Sequence, residues 1–266
     1  MQKSFIFIDV DGTLVGYSEG MQYIPESARK AIHAARKNSH AVYLCTGRSL
    51  AELNTIEFDD IDGIIGGAGA FVISQGNYLY RRRMAKKDVV SIAESLLNDN
   101  IIFYLESDSG LYYADNTLDF FRSFTADDNY FSLYHPMKEA NLNEITKICF
   151  FTDDLQIYES VRDQYQRNFC VTDASFGDMH MICGEISLLH LNKGEAIKTL
   201  LKQYENDDIT TYAIGDSGND IEMFEVCDHA IVMGNARKNI QQKADFITKS
   251  LEEDGLEYAL KHYHLI

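Results

Sequence analysis

Residues 5–13 run Phe-Ile-Phe-Ile-Asp-Val-Asp-Gly-Thr, an apolar, strand-like segment that delivers two carboxylates, one residue apart, into a glycine turn. Side chains along a strand repeat every two residues, so Asp9 and Asp11 start on the same side at its C-terminal end. In open α/β sheets the crevice beyond the carboxyl ends of the strands is where ligands bind, and Gly12 lets the backbone turn closely around one. Paired acids with no Lys or Arg nearby in sequence also suggest a cation. Taken alone, the segment reads equally well as turn formers closing an ordinary strand.

A second acid cluster, Gly215-Asp216-Ser217-Gly218-Asn219-Asp220, again follows a short apolar run, Thr211 to Ile214. Two such loops at strand ends can converge. Hard divalent cations take oxygen ligands, and Mg²⁺ in particular is held by one or two carboxylates, waters and substrate phosphate oxygens. Asp9, Asp11 and Asp216 suit that role. Between the two clusters, Ala41 to Cys45 is a further strand-like run that ends in Thr46-Gly47-Arg48, where a hydroxyl, a backbone N–H and a guanidinium can hold phosphate oxygens. Lys193-Gly194 opens a segment with Ile197, Leu200 and Leu201 at helical spacing, which places a lysine at a helix start that already favours an anion. Each of these two is weak by itself, being more often structural or solvated.

The ordered set is stronger than its members. Asp9-Val10-Asp11-Gly12-Thr13, Thr46-Gly47-Arg48, Lys193-Gly194 and Gly215-Asp216-Ser217-Gly218-Asn219-Asp220 resemble, in order, the four motifs of the haloacid dehalogenase superfamily, and most closely the Cof-type sugar-phosphate phosphatases of its subfamily IIB. Met233-Gly234-Asn235-Ala236 and Glu252-Glu253-Asp254-Gly255 are similar to segments that follow the fourth motif there. The resemblance covers residues 1 to about 75 and 185–266. It implies a nucleophile at Asp9, which attacks phosphorus to form an aspartyl-phosphate, and a general acid and base at Asp11. It further implies Mg²⁺ held by the Asp9 carboxylate, the Asp11 main-chain carbonyl and Asp216, with Asp220 beside it through water. Val10 N–H, Thr46, Gly47 N–H, Lys193 and Asn219 would surround the transferring phosphoryl group, and Arg48 would touch substrate.

One departure stands out. Where the family usually carries Asn-Gly-Ala after its third core strand, this chain has Gly66-Gly67-Ala68-Gly69-Ala70, with Ala68 in the Asn position. The same stretch weakly imitates a dinucleotide-binding glycine pattern, but Phe71 to Asn77 reads as a strand and hairpin turn rather than the helix that pattern needs.

Composition narrows the partners. Lys and Arg total 24 against 41 Asp and Glu, a net charge of −17 that argues against nucleic acid or an anionic membrane. No apolar run reaches the roughly 20 residues of a membrane span, and the start lacks a signal peptide's apolar stretch, so the expected location is the cytoplasm. Cys45, Cys149, Cys170, Cys183 and Cys227 have no paired spacing and read as reduced, mostly buried thiols rather than a zinc site. His33, His40 and His262 read as surface residues. His180 is a candidate substrate contact, against the more ordinary structural role.

The expected architecture is α/β, a Rossmann-like doubly wound parallel-sheet core with an inserted α+β cap domain. Strand 4–8, helix 25–38, strand 41–45, helix 49–56 and strand 62–66 alternate as βαβ units, and helix 194–204, strand 211–214, helix 219–226, strand 229–232 and a helix around 255–263 complete the core. The core thus spans 1–81 and 185–266, and the cap 82–184, with helices 86–98, 116–124 and 155–167 and strands 101–106, 110–114, 145–152, 169–174 and 178–183. Tyr104, Tyr112, Tyr113, Phe120 and Phe121 read as cap core, and Arg81-Arg82-Arg83 as a solvated linker or an anion collector. The function expected is Mg²⁺-dependent hydrolysis of small phosphomonoesters, sugar phosphates or phosphorylated cofactors. The alternatives are a phosphosugar mutase or phosphotransferase and a non-catalytic phosphometabolite-binding protein.

Overall fold

The computed structural model describes residues 4–18, 21–114, 117–123, 127–174, 181–205 and 208–266. The chain divides into two compact units, one of residues 1–47, 56–81 and 192–266 and the other of 48–55 and 82–191.

The first unit is built on an eight-stranded sheet whose edge-to-edge order is Phe246–Ile247, His229–Val232, Thr210–Gly215, Ser4–Asp9, Ala41–Cys45, Gly63–Gly66, Phe71–Ser74, Asn77–Arg81. The pairs are parallel up to Gly63–Gly66, and the last two strands run antiparallel as a hairpin. Phe5, Phe7, Tyr43 and Cys45 pack with Ile197, Leu200 and Met223 of helices Lys193–Leu201 and Ile221–Val226. Ile6, Ile8, Val42 and Leu44, on the opposite face, are also fully buried. Helix Glu26–Lys37 contacts strand Ala41–Cys45 and helix Gly255–His262. Burial on both faces is why these strands read as continuous apolar runs.

In the second unit a six-stranded sheet runs Tyr134–Pro136, Gly110–Tyr113, Ile102–Ser107, Ile145–Thr152, Ile182–Leu188, Phe169–Asp173. All its pairs are antiparallel except the first. Phe103, Leu105, Ile148, Phe150 and Ile186 share a core with Val89, Ile92 and Leu96 of helix Lys86–Asn98 and Tyr158 and Val161 of helix Leu155–Tyr165. Tyr104, Cys149, Phe151 and Cys183, on the other side of the sheet, form a separate core with Leu111 and Phe121.

Several elements differ from expectation. Of the strand read at 178–183, residues 178–180 lie outside the described residues, and the described strand, Ile182–Leu188, runs on past 183: Gly184 lies opposite Phe150 in the ladder, and pairing carries the strand through it. The helix read at 49–56 ends at Leu53, and Thr55 Oγ1 donates to Glu52 O in place of a further turn. His40 is a correction. It is 5% exposed, its N–H donates to Ala35 O just before strand Ala41–Cys45, and neither ring nitrogen is hydrogen-bonded. Burial lowers its pKa. All five cysteines are free, three buried and two half-buried. Arg83 is ion-paired to Asp108 at 2.6 Å and Glu144 at 3.2 Å rather than left to solvent. Among the described residues no helix is long and apolar enough to cross a membrane.

Candidate active site

Parallel pairing of Ser4–Asp9 with Thr210–Gly215 aligns Ile8 with Ile214, so Asp9 and Asp216 leave neighbouring strands at the same end of the sheet. The chain then turns tightly. Val10 O accepts the N–H groups of Leu14 at 2.9 Å and Val15 at 2.8 Å, which fixes residues 10–15 as one compact turn. Gly12 sits in it at φ +79°, and a Cβ there would fall against the Asp216 carboxylate.

Lys193 opens its helix behind an Asn192 cap, whose side chain accepts the Glu195 N–H. Its ammonium is 1% exposed and lies 2.5 Å from Asp9 Oδ1, 2.6 Å from Asp220 Oδ1 and 3.0 Å from Asn219 Oδ1. Burial works against that charge, but Asp220 and then Asp9 outweigh it, so the lysine stays protonated with its pKa above the ordinary value. Asp220 is fully buried, and its other oxygen accepts the N–H groups of Asp216 at 3.0 Å and Ser217 at 2.9 Å. It therefore holds the loop that presents Asp216 while pairing with the lysine.

Three carboxylates, those of Asp9, Asp216 and Asp220, each offer an oxygen within 4.8 Å of the others. Burial first, and Asp220 next, push the Asp9 carboxyl well above the usual carboxylate range, with Lys193 opposing. The same two causes push Asp216 up to about 6, with the Thr13 hydrogen bond opposing. Three acids against one ammonium leave an excess of negative charge, and an all-oxygen donor set fits a hard divalent cation. Because Asp220 is already committed to Lys193 and two backbone N–H groups, Asp9 and Asp216 have the freer oxygens.

The remaining expected residues fall as follows. Thr46 is buried, with its N–H on Ile65 O and its carbonyl accepting from Ala68, both at 2.9 Å. Gly47 borders open space on its side-chain side. Val10 is buried beneath the turn, and Arg48 is buried and groups with the second unit rather than the first. The Asp11 side chain is not part of the carboxylate cluster; it accepts the Tyr17 hydroxyl at 2.9 Å. Ala68 holds φ +53°, a left-handed conformation that Asn adopts more readily than Ala. His180 lies outside the described residues.

Two contributors were not singled out from sequence. Asn235 donates to Gly12 O at 2.9 Å and to Asp216 Oδ2 at 3.4 Å, while its own Oδ1 accepts the Leu251 N–H. Its place in Met233-Gly234-Asn235-Ala236 was the available signal. Tyr17 had none.

A family model described as haloacid dehalogenase-like hydrolase matches residues 6–260. The chain is 29% identical over 279 residues to a 5-amino-6-(5-phospho-D-ribitylamino)uracil phosphatase, YwtE, of Bacillus subtilis, covering 95% of each. It is 26% identical to phosphatase YwpJ of the same organism, over 97% of this chain and 98% of that one. Its fold matches that of the HAD subclass IIB sugar phosphatase BT4131 with a TM-score of 0.79 at 21% identity, over 99% and 100% of the two chains.

Proposed function

Because this chain belongs to the haloacid dehalogenase-like hydrolases, we propose that it hydrolyses small phosphomonoesters with a divalent cation, Mg²⁺, through an aspartyl-phosphate on Asp9. Phosphatase as the enzyme class follows from the family and the relatives; the metal, the substrate class and the residue roles are our reading. The observation that carries it is the Lys193 ammonium seated between Asp9 and Asp220, with Asp216 alongside, at the ends of two adjacent parallel strands.

Lys193 holds Asp9 Oδ1, which fixes the carboxylate and leaves its other oxygen to attack phosphorus. The phosphoryl group passes from the ester oxygen to Asp9, and Asp11 gives its proton to the departing alcohol oxygen. Water then attacks phosphorus, Asp11 takes the water's proton, and the P–O bond to Asp9 breaks to release phosphate and restore both acids. Lys193, Thr46 and the N–H groups of Val10 and Gly47 stabilise the charge on the equatorial oxygens. Asp9, Asp216 and the Asp11 carbonyl would hold the metal, which offsets repulsion between an anionic nucleophile and an anionic ester. The domain division belongs to the same reading, with residues 1–81 and 185–266 as the core and 82–184 as an inserted cap domain.

The test is phosphate release from a panel of sugar phosphates, phosphorylated cofactors and an aryl phosphate, with Mg²⁺ and with excess chelator, for the native chain and Asp9→Asn. Release that needs metal and vanishes in Asp9→Asn is expected. Release that survives either change overturns the mechanism, and phosphate passed to an added sugar in preference to water identifies a phosphotransferase.

A further inference from the structure

We propose that Asn235 is a positioning residue for the cation site: its side-chain amide ties the Gly12 turn to the Asp216 carboxylate and so fixes the spacing of the two segments that bear the ligands. The inference rests on the reading above in which Asp9 and Asp216 hold the metal.

Asn235 Oδ1 accepts the Leu251 N–H at 3.1 Å, so Nδ2 is the atom turned to the other two groups. It carries two N–H donors and meets two acceptors, Gly12 O at 2.9 Å and Asp216 Oδ2 at 3.4 Å. Those acceptors repel each other, yet the chain brings them together: Gly12 approaches Asp216 so closely that a Cβ would collide with the carboxylate. The amide bridges them. From the Gly12 turn itself, Thr13 Oγ1 donates to Asp216 Oδ1 at 3.2 Å. Both oxygens of Asp216 are thus held from outside its own loop. Each carboxylate oxygen has two acceptor sites, so these bonds aim the group without exhausting its capacity for a cation.

The residue stands on a fixed frame. Met233 N–H donates to Gly215 O at 2.9 Å, which anchors the 233–236 turn to the strand end from which Asp216 leaves. Gly234 N–H donates to Lys249 O at 2.9 Å, and the Gln241 amide donates to the carbonyls of Gly234 and Ala236, both at 3.1 Å, on either side of Asn235. Packing does not account for the side chain, since Asn235 is exposed while Met233 and Ala236 are buried. Its three hydrogen bonds go instead to three separate segments: the Gly12 turn, the Asp216 loop and residue 251. Groups that hold a ligating carboxylate decide how well it is aimed, and losing one commonly weakens metal binding by about 10- to 100-fold.

The experiment measures Mn²⁺ binding by electron paramagnetic resonance of the free ion, with Mg²⁺ as competitor and no substrate. It uses the native chain, Asn235→Ala, Asn235→Leu and Asp216→Asn, with stability followed by urea denaturation in the absence of metal. Asn235→Ala is expected to raise the Mn²⁺ dissociation constant about tenfold. Asn235→Leu, which restores the branched shape without the hydrogen bonds, should lose as much. A merely structural role would lower the urea midpoint and leave the dissociation constant of the folded protein at the native value, and that result overturns the proposal. So does native affinity in Asn235→Leu, which would make the residue a spacer. A native chain that binds no Mn²⁺, or an Asp216→Asn variant that binds it as tightly as the native chain, overturns the metal reading and this inference with it.

Discussion

Each unit of this protein buries one lysine between two carboxylates. In the first, Lys193 lies between Asp9 and Asp220 at 2.5 and 2.6 Å; in the second, Lys147 lies between Glu185 and Glu106 at 2.7 and 3.2 Å. Both lysines and the more buried acid of each set are almost wholly withdrawn from water. In both, burial raises an acid's pKa, at Asp9 and at Glu106, against the pull of the lysine. The chemistry of the groups therefore does not distinguish a candidate catalytic centre from a structural ion triad.

Position does. Glu106, Lys147 and Glu185 lie within three adjacent strands, with Glu106 directly opposite Lys147 and Glu185 opposite Cys149. Mid-strand backbone groups are spent on the ladder, and neither Glu106 oxygen has a hydrogen-bond partner beyond the ion pair. Asp9, Lys193 and Asp220 instead sit at a strand end, a helix start and a turn, where backbone N–H groups are free to bond Asp220 and where Gly47 borders open space. The first triad also has Asp216 beside it, and this surplus of charge suits a cation. Buried ion sets contribute little net stability but lose much when broken, so the two triads should fail differently.

The largest expected effect is at Lys193. Lys193→Met removes the cation that pairs with Asp9 and that the proposed mechanism turns to the transferring group, and should lower kcat by about 10²- to 10³-fold, as for loss of one transition-state donor. Steady-state kinetics on the folded fraction, with folding checked by circular dichroism, measures it. A kcat within twofold of native would mean that Lys193 is as structural as Lys147, and the contrast between the triads would collapse.

Next is Lys147→Met, which strands the fully buried Glu106 and the half-buried Glu185 and should cost about 3 kcal/mol in stability. Urea denaturation gives this directly. The folded fraction should turn over an aryl phosphate at nearly the native kcat. A selective loss of kcat here, with stability preserved, would move the second triad into the reacting machinery.

Much of this was legible in the sequence, for a physical reason. Strands Ala41–Cys45, Ile145–Thr152 and His229–Val232 and helix Lys86–Asn98 have the bounds their patterns indicate, because apolar runs and helical periodicity record burial directly. The residues that gather around Lys193 were legible too, since each is a strand-end or helix-start residue inside a short motif. Asn235 and Tyr17 were harder: one reaches a carbonyl 223 positions away, and the other depends on which face of a three-residue strand it takes. Strand Ile182–Leu188 was ended too early because a glycine, which usually weakens a strand, here lies opposite an aromatic ring. Helix Leu50–Leu53 was overextended because its capping box, Ser49 with Glu52, marks a start and carries no information about length. Burial of His40 leaves no trace in a local pattern at all.

The smallest expected effect is the most discriminating. Replacing Glu106, Lys147 and Glu185 together by Leu, Met and Leu removes every charge of the second triad at roughly constant volume. Buried ion sets replaced this way are often neutral or stabilised, so the change should be within about 2 kcal/mol of native and well short of Lys147→Met alone. The non-additivity is the signature of a closed structural set, in which the single substitution is costly only because it leaves charges unpaired. Recovery of stability with native kcat/KM on the whole substrate panel would confine the triad to folding. Recovery of stability with loss of kcat/KM on sugar phosphates but not on the aryl phosphate would instead show that the retained charges serve the leaving group, since only the larger polar substrates would then feel their removal.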